Sequence, residues 1–230
     1  ESRDFEPSEM LRTQPFYLLW FIYAVASGAG LMIIGNVAGM ARENMGEWAW
    51  VVVALMAVGN AAGRIVAGLL SDRIGRTQTL AIMLTFQALI MFGLFMAGKG
   101  STLLLVTAAT LIGFNYGTNL SLFPSASKDY FGLKNFGVNY GFLFTAWGVG
   151  GLVLPRASQM IVASTGSFES AYLTAGVLLI FSAGMTMVVK RPVVVPELAA
   201  EPNPSGLAGG VNLSEAPAAR VRNENLPPSR

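Results

Sequence analysis

Arg64 stands inside an apolar run, Trp48 to Leu70, with Asn60 four residues before it. A guanidinium held in hydrocarbon is costly unless it faces a wet cavity, finds a partner or reaches the headgroups. Residues four apart share a helix face, so Asn60 and Arg64 form one polar strip. That strip suits an anion; the opposing reading is a structural arginine that snorkels to the surface. A second group centres on Trp147, which shares a helical face with Tyr140 and Gly151. Such an aromatic wall could hold the apolar part of an anion whose charge Arg64 takes, or it could simply pack against lipid or a neighbouring helix. Asn115 and Asn119, with Tyr116 between them, are either cavity lining or interhelical hydrogen-bond glue, with Asn119 on the glue side. The candidate binding residues are therefore Arg64, Asn60, Trp147, Tyr140 and Asn115.

A third group, Gly68, Asp72, Arg73, Gly75 and Arg76, is a dense cluster of charge and glycine. Gly75 can take backbone angles closed to other residues, and Asp72 can pair with the flanking arginines or sit at a helix N-terminus. The cluster could latch one state of a membrane domain, or be a solvated loop. The chain has no cysteine and no histidine. Thiolate nucleophiles, disulfides and the commonest metal ligands are thus excluded, and no metal or cofactor is expected. Paired carboxylates and a Gly-x-Ser-x-Gly turn are also lacking, which speaks against an intramembrane enzyme.

The elements that must carry these residues are set by the solvent. Of 230 residues, 53% are hydrophobic and 12% charged, about half the charged share of a soluble domain. Four windows hold no Asp, Glu, Lys or Arg: 15–40, 77–97, 101–127 and 170–189. Two more, 48–70 and 136–163, carry one charge each, Arg64 and Arg156. Each is long enough to cross a bilayer, which takes about 20 residues. The expectation is an all-α polytopic membrane protein with six transmembrane helices over residues 15–190, preceded by a lead-in at 1–14. No acidic residue falls in these windows. Short loops are expected at 42–47, 71–76 and 128–135.

Lysines and arginines divide unevenly between the two sides. Arg3, Arg12, Arg73, Arg76, Lys128, Lys134, Lys190 and Arg191 fall on one, Arg42 and Lys99 on the other. This puts both termini in the cytoplasm, and makes the net charge of +2 a topology signal rather than a nucleic-acid footprint. Residues 191–230 are rich in proline, alanine and glycine and are expected to form a disordered cytoplasmic tail. Gly35 with Gly39 and Gly59 with Gly63 have the spacing of close helix contacts. The chain starts at Glu1 without an initiator methionine or signal-peptide pattern and is read as a fragment, with a half-size protein that dimerises as the alternative.

Gly68-Leu69-Leu70-Ser71-Asp72-Arg73-Ile74-Gly75-Arg76 resembles the loop signature of the major facilitator superfamily, G-x-x-x-D-[RK]-x-G-[RK]. Residues 5–23 and 123–140 are similar to the central loop with helix seven, and to the loop between helices ten and eleven, of the oxalate:formate antiporter family. The resemblance implies helices seven to twelve of a transporter whose N-terminal six-helix half is a separate part. It also aligns Arg64 with the family's substrate-carboxylate arginine in helix eight. Dicarboxylate exchangers of that family have a helix-eleven lysine where this chain has Trp147. Arg156, nine residues on, falls on the opposite side of the helix and does not replace it. One cavity cation rather than two suits a monocarboxylate better than oxalate.

The expected function is a secondary transporter in the cell membrane that moves a small organic anion by alternating access, as antiporter or proton symporter. Its partners would be a small carboxylate, membrane lipid and the other half. A non-transporting sensor or scaffold built on the same fold is the alternative.

Overall fold

The computed structural model describes residues 4–97 and 102–192. Arg3, Lys99 and the tail beyond Pro192 lie outside them, so their expected roles find no structural counterpart here. The described chain is helical: α1 (Pro7–Met10), α2 (Gln14–Met45), α3 (Ala49–Ile74), α4 (Arg76–Ala97), α5 (Thr102–Phe131), α6 (Phe136–Thr165) and α7 (Glu169–Thr186). Helices α2 to α7 supply six spans long and apolar enough to cross a membrane. This is the all-α, six-span architecture that the charge pattern dictates.

The helices overrun the charge-free windows. Helix α2 continues over Arg42 and Glu43, α3 over Asp72 and Arg73, and α5 over Lys128 and Asp129. Backbone amides near a bilayer boundary still need partners, and a longer helix supplies them while its terminal charges reach water. Three expected loops shrink accordingly, to the short turn Gly46–Trp48, to Gly75 alone, and to residues 132–135. Carboxylates do therefore occur within the helices, but only near their ends. Gly75 turns the chain with φ +94°, a conformation costly for any residue with a Cβ. Its N–H donates to the Ser71 carbonyl at 3.0 Å, and Thr79 N–H donates back to the Gly75 carbonyl at 3.2 Å.

Helices pair α3 with α5, α2 with α6 and α4 with α7. Lipid tails are as apolar as leucine, so helix association in a bilayer relies on close packing and polar links rather than on burial from water. The α3–α5 pair meets this with reciprocal glycines. A Cβ on Gly59 or Gly63 would strike the backbone at Thr110 or Phe114, and one on Gly113 or Gly117 the backbone at Met56 or Asn60. A Cβ on Gly28 of α2 would likewise lie only 2.5 Å from the Gly150 carbonyl oxygen of α6. Gly35 and Gly39 have the same spacing, but a Cβ added at either would meet nothing within 4 Å among the described residues. Spacing alone does not select the contact.

Gly63→Ala should force α3 and α5 apart, at about 1–3 kcal/mol as overpacking costs go. The melting temperature of the detergent-purified protein should fall by several degrees. Gly93→Ala, where an added Cβ meets nothing within 4 Å, is the control and should melt with the parent. Equal melting of the two variants would mean that this contact does not hold the pair together.

The lead-in is a clasp rather than a loose connection. Leu133 and Lys134 amides donate to Asp4 Oδ1 at 2.7 and 2.9 Å. Phe5 N–H donates to the Phe131 carbonyl at 2.9 Å, and the Asn135 and Asn139 side-chain amides donate to the Phe5 carbonyl at 3.1 and 3.0 Å. The Phe5 ring meets Phe131 edge-on, and Met10 is fully buried. The clasp thus ties the start of α2 to the α5–α6 connection. The Lys134 and Leu133 amides hold the Asp4 carboxyl below its ordinary value of 3.8. A carboxylate with a depressed folded pKa stabilises the fold fully above its unfolded pKa, and that contribution is lost as pH falls through the depressed value. Relative to their intrinsic exchange rates at each pH, the amides of Leu133 and Lys134 should therefore be slow at neutral pH and faster below pH 3.8. Asp4→Asn should bring the fast behaviour to neutral pH, and unchanged protection in that variant would remove the carboxylate from the account.

Candidate functional site

Arg64 lies on α3 ten residues before Ile74 and fifteen after Ala49, or about 15 Å and 22 Å along the axis from the two ends. Its side chain is exposed on the bundle, and among the described residues it has no carboxylate partner. The close α3–α5 contact fixes its neighbours. Gly63, next in sequence, sits against the backbone of Phe114, which places Arg64 beside the stretch of α5 that carries Tyr116. Asn60, one turn earlier, is half-buried at the same helix contact and faces Gly117 with its backbone.

Helix α6 supplies the aromatic wall. Phe136 stacks on Tyr140 with ring centroids 5.7 Å apart, and Phe144 stacks on Trp147 at 5.3 Å. Positions spaced by three and four residues follow one helix face, so the wall is a property of the sequence once the helix forms. Trp147 Nε1 donates to the Tyr116 hydroxyl at 2.6 Å, linking α6 to α5. The hydroxyls of Tyr23 and Tyr140 lie 3.4 Å apart, linking α6 to α2. Tyr23 in turn stacks face to face on Phe123 of α5, with centroids 3.9 Å apart. Glycine contacts between α2 and α6 set this spacing, through Gly28 and Gly150.

Of the sequence-derived candidates, Trp147 meets Tyr116 directly, Tyr140 lies on the same face of α6 but meets Tyr23, and Arg64 and Asn60 sit on α3 along its contact with α5. Asn115 does not join them. It is 1% exposed, its amide donates to the Met83 carbonyl of α4 at 2.5 Å, and its oxygen accepts from Thr118 Oγ1 at 3.2 Å. Adjacent helical residues point about 100° apart, so when Tyr116 faces α6 its neighbour turns toward α4. Asn115 is interhelical glue. Asn119 is buried as well, and its amide nitrogen is unpartnered among the described residues. Arg156 is exposed on α6.

Sequence reasoning noted Tyr116 only as lying between Asn115 and Asn119, and passed over Tyr23. Their hydroxyls matter only through partners on another helix, 31 and 117 residues away, and no local pattern announces such pairs. A cleft of about 360 Å³ lies elsewhere, between the start of α4 and the end of α7, lined by Ile74, Gln78, Ile82 and Thr186 among others. It contains no charged residue and none of the Arg64 group.

The glycine and charge cluster forms a compact ion network. Arg76, 17% exposed, donates from Nε to Asp129 Oδ2 at 2.9 Å and pairs through Nη1 with Asp72 Oδ1 at 2.7 Å. The same nitrogen also donates to the Ser71 hydroxyl. Asp129 belongs to the last turns of α5, so the network fastens α5 across the α3–α4 turn. Arg73 and Gly75 are exposed, the Gly68 carbonyl accepts from Ser71 Oγ at 2.9 Å, and a Cβ added at Gly68 would meet nothing within 4 Å among the described residues. Asp129 is the partner that sequence reasoning missed, although it is the only acidic residue between Asp72 and Glu169.

Six apolar helices paired through glycines, an arginine kept far from either end of its helix and a one-residue charged turn define a polytopic helical membrane protein. The chain belongs to the Major Facilitator Superfamily, whose family profile matches residues 17–222. It is 28% identical over 154 residues to YhjX, an uncharacterized MFS-type transporter of Escherichia coli, covering 65% of this chain and 38% of that protein. It is 32% identical over 149 residues to the oxalate:formate antiporter of Oxalobacter formigenes, covering 63% and 35%. The MFS transporter asaE of Aspergillus flavus is 27% identical over 186 residues, covering 76% and 41%. The chain thus spans only 35% to 41% of the length of these relatives.

Proposed function

We propose that this chain is the C-terminal six-helix half of a secondary transporter that exchanges or co-transports a small monocarboxylate by alternating access. Its two ends would face the cytoplasm across the cell membrane, with residues 1–14 as the end of a central loop and 191–230 as a tail. The observation that carries the reading is Arg64. It is a fixed positive charge about 15 Å from the nearer end of its helix, without a carboxylate partner among the described residues and beside an aromatic group from two other helices. An anion there would gain charge-assisted hydrogen bonds from the guanidinium and apolar contact from Trp147 and Tyr140. Helices α3 and α6 are the least buried of the six, which suits a site completed by a second half.

The substrate class follows from charge counting. With a single cation near the wall, a second carboxylate would have to shed water without a partner. The full-length protein in proteoliposomes should exchange formate or lactate at least about tenfold faster than oxalate, as a desolvated charge left unpaired would dictate. Oxalate exchange as fast as that of formate or lactate would end the monocarboxylate reading. The wider family assignment would stand.

A further inference from the structure

The contact between Trp147 and Tyr116 specifies more than a wall. Trp147 has one N–H, and it is spent on the Tyr116 oxygen at 2.6 Å. A phenol that accepts on one lone pair keeps its own proton for another acceptor. Among the described residues no acceptor takes that proton, although Tyr116 is only 9% exposed. A buried donor without a partner is unfavourable, and a bound acceptor relieves it. No described residue supplies that acceptor, which leaves it to a ligand, and the Gly63–Phe114 contact holds Arg64 on the helix packed against this stretch of α5.

We propose that Tyr116 is a substrate-binding residue that donates its hydroxyl proton to the same carboxylate that Arg64 holds, with Trp147 as the positioning residue that fixes where the proton points. This rests on the anion reading of Arg64 given above. One cation and one neutral donor then make a complete seat for a single carboxylate. Trp147 stacks on Phe144 and offers no second charge, so its ring both orients the donor and closes the seat to a dianion.

The test uses the full-length protein in detergent and in proteoliposomes, with formate, acetate, lactate and oxalate as probes. Tyr116→Phe keeps the ring and deletes the hydroxyl. The KM and Kd of the best-bound monocarboxylate should rise about tenfold, as loss of a hydrogen bond to a charged group implies. The maximal rate and the ligand-free melting temperature should stay near the parent values. Trp147→Phe keeps a ring for Phe144 and removes the N–H, and should raise KM by about threefold, a fraction of the same hydrogen-bond energy. If Trp147 acts through Tyr116, the double variant should be no worse than Tyr116→Phe alone.

Parent-like affinity in Tyr116→Phe overturns the assignment, and additive losses in the double variant overturn the positioning role. Arg64→Gln separates the two levels. Loss of binding in Arg64→Gln with none in Tyr116→Phe defeats only the Tyr116 seat. No binding of any of the four probes by the parent defeats the anion reading together with it. If Tyr116→Phe melts early, Trp147→Phe decides the question through its KM.

Discussion

Arg64→Gln should reduce exchange of a small monocarboxylate by about a hundredfold or more, corresponding to about 3 kcal/mol of lost carboxylate binding. The two readings of this arginine predict opposite signs. If the guanidinium serves an anion, Gln removes the charge that holds it, and transport fails while the empty protein stays folded. If the arginine only snorkels, Gln removes an ion from an unfavourable medium, and the protein keeps its transport with equal or higher stability. Arg64→Lys refines the outcome. It keeps the charge and loses the planar fork that grips two carboxylate oxygens at once, so an intermediate loss of about tenfold is expected. Initial exchange rates with labelled formate or lactate in proteoliposomes, read beside the ligand-free melting temperature, give both signs in one experiment. Parent-like rates in Arg64→Gln would leave the anion without its anchor.

The spans were legible because hydrocarbon tolerates so little: a run without charge that exceeds the bilayer's thickness has few alternatives to a helix. Their ends were not, since charge marks where water begins rather than where backbone hydrogen bonding stops. Helix α3 therefore carries Asp72 and Arg73 within its last turn, and the expected six-residue loop became Gly75. Arg64 and the shared face of Tyr140 and Trp147 were legible as types and spacings, whereas the stacking of Phe136 and Phe144 on them was not singled out. The turn of Asn115 away from them was not, because a 100° difference between neighbours is decided by which helix lies alongside. Long-range polar links escaped for the same reason. Asp129 lies 53 residues from Arg76, and the lead-in that looked like a mere approach to the first span carries the Asp4 and Phe5 clasp on residues 131–139.

Arg76→Gln is expected to have the second large effect, and burial ranks its two partners. Asp129 is 21% exposed and Asp72 64% exposed. An exposed ion pair contributes about 0–1 kcal/mol, whereas stripping the partner from a largely buried charge costs about 3–5 kcal/mol. Asp129, between these limits, should couple to Arg76 by about 1–3 kcal/mol, and Asp72 by under about 1 kcal/mol. Double-mutant cycles on melting free energy, pairing Arg76→Gln with Asp129→Asn and then with Asp72→Asn, measure both couplings. A larger coupling to Asp72 would overturn the ranking. If the network latches one of the transporter's states, the same 1–3 kcal/mol is enough to shift the balance between states by about five- to 150-fold, so Arg76→Gln and Asp129→Asn should slow exchange together. A charge network that merely steadies the α3–α4 turn would lower the melting temperature and leave exchange per folded molecule unchanged. The ratio of the two readouts therefore tells a latch from a brace: Arg76 holds α5 to the turn in either case, and only a latch makes that hold depend on the state of the transporter.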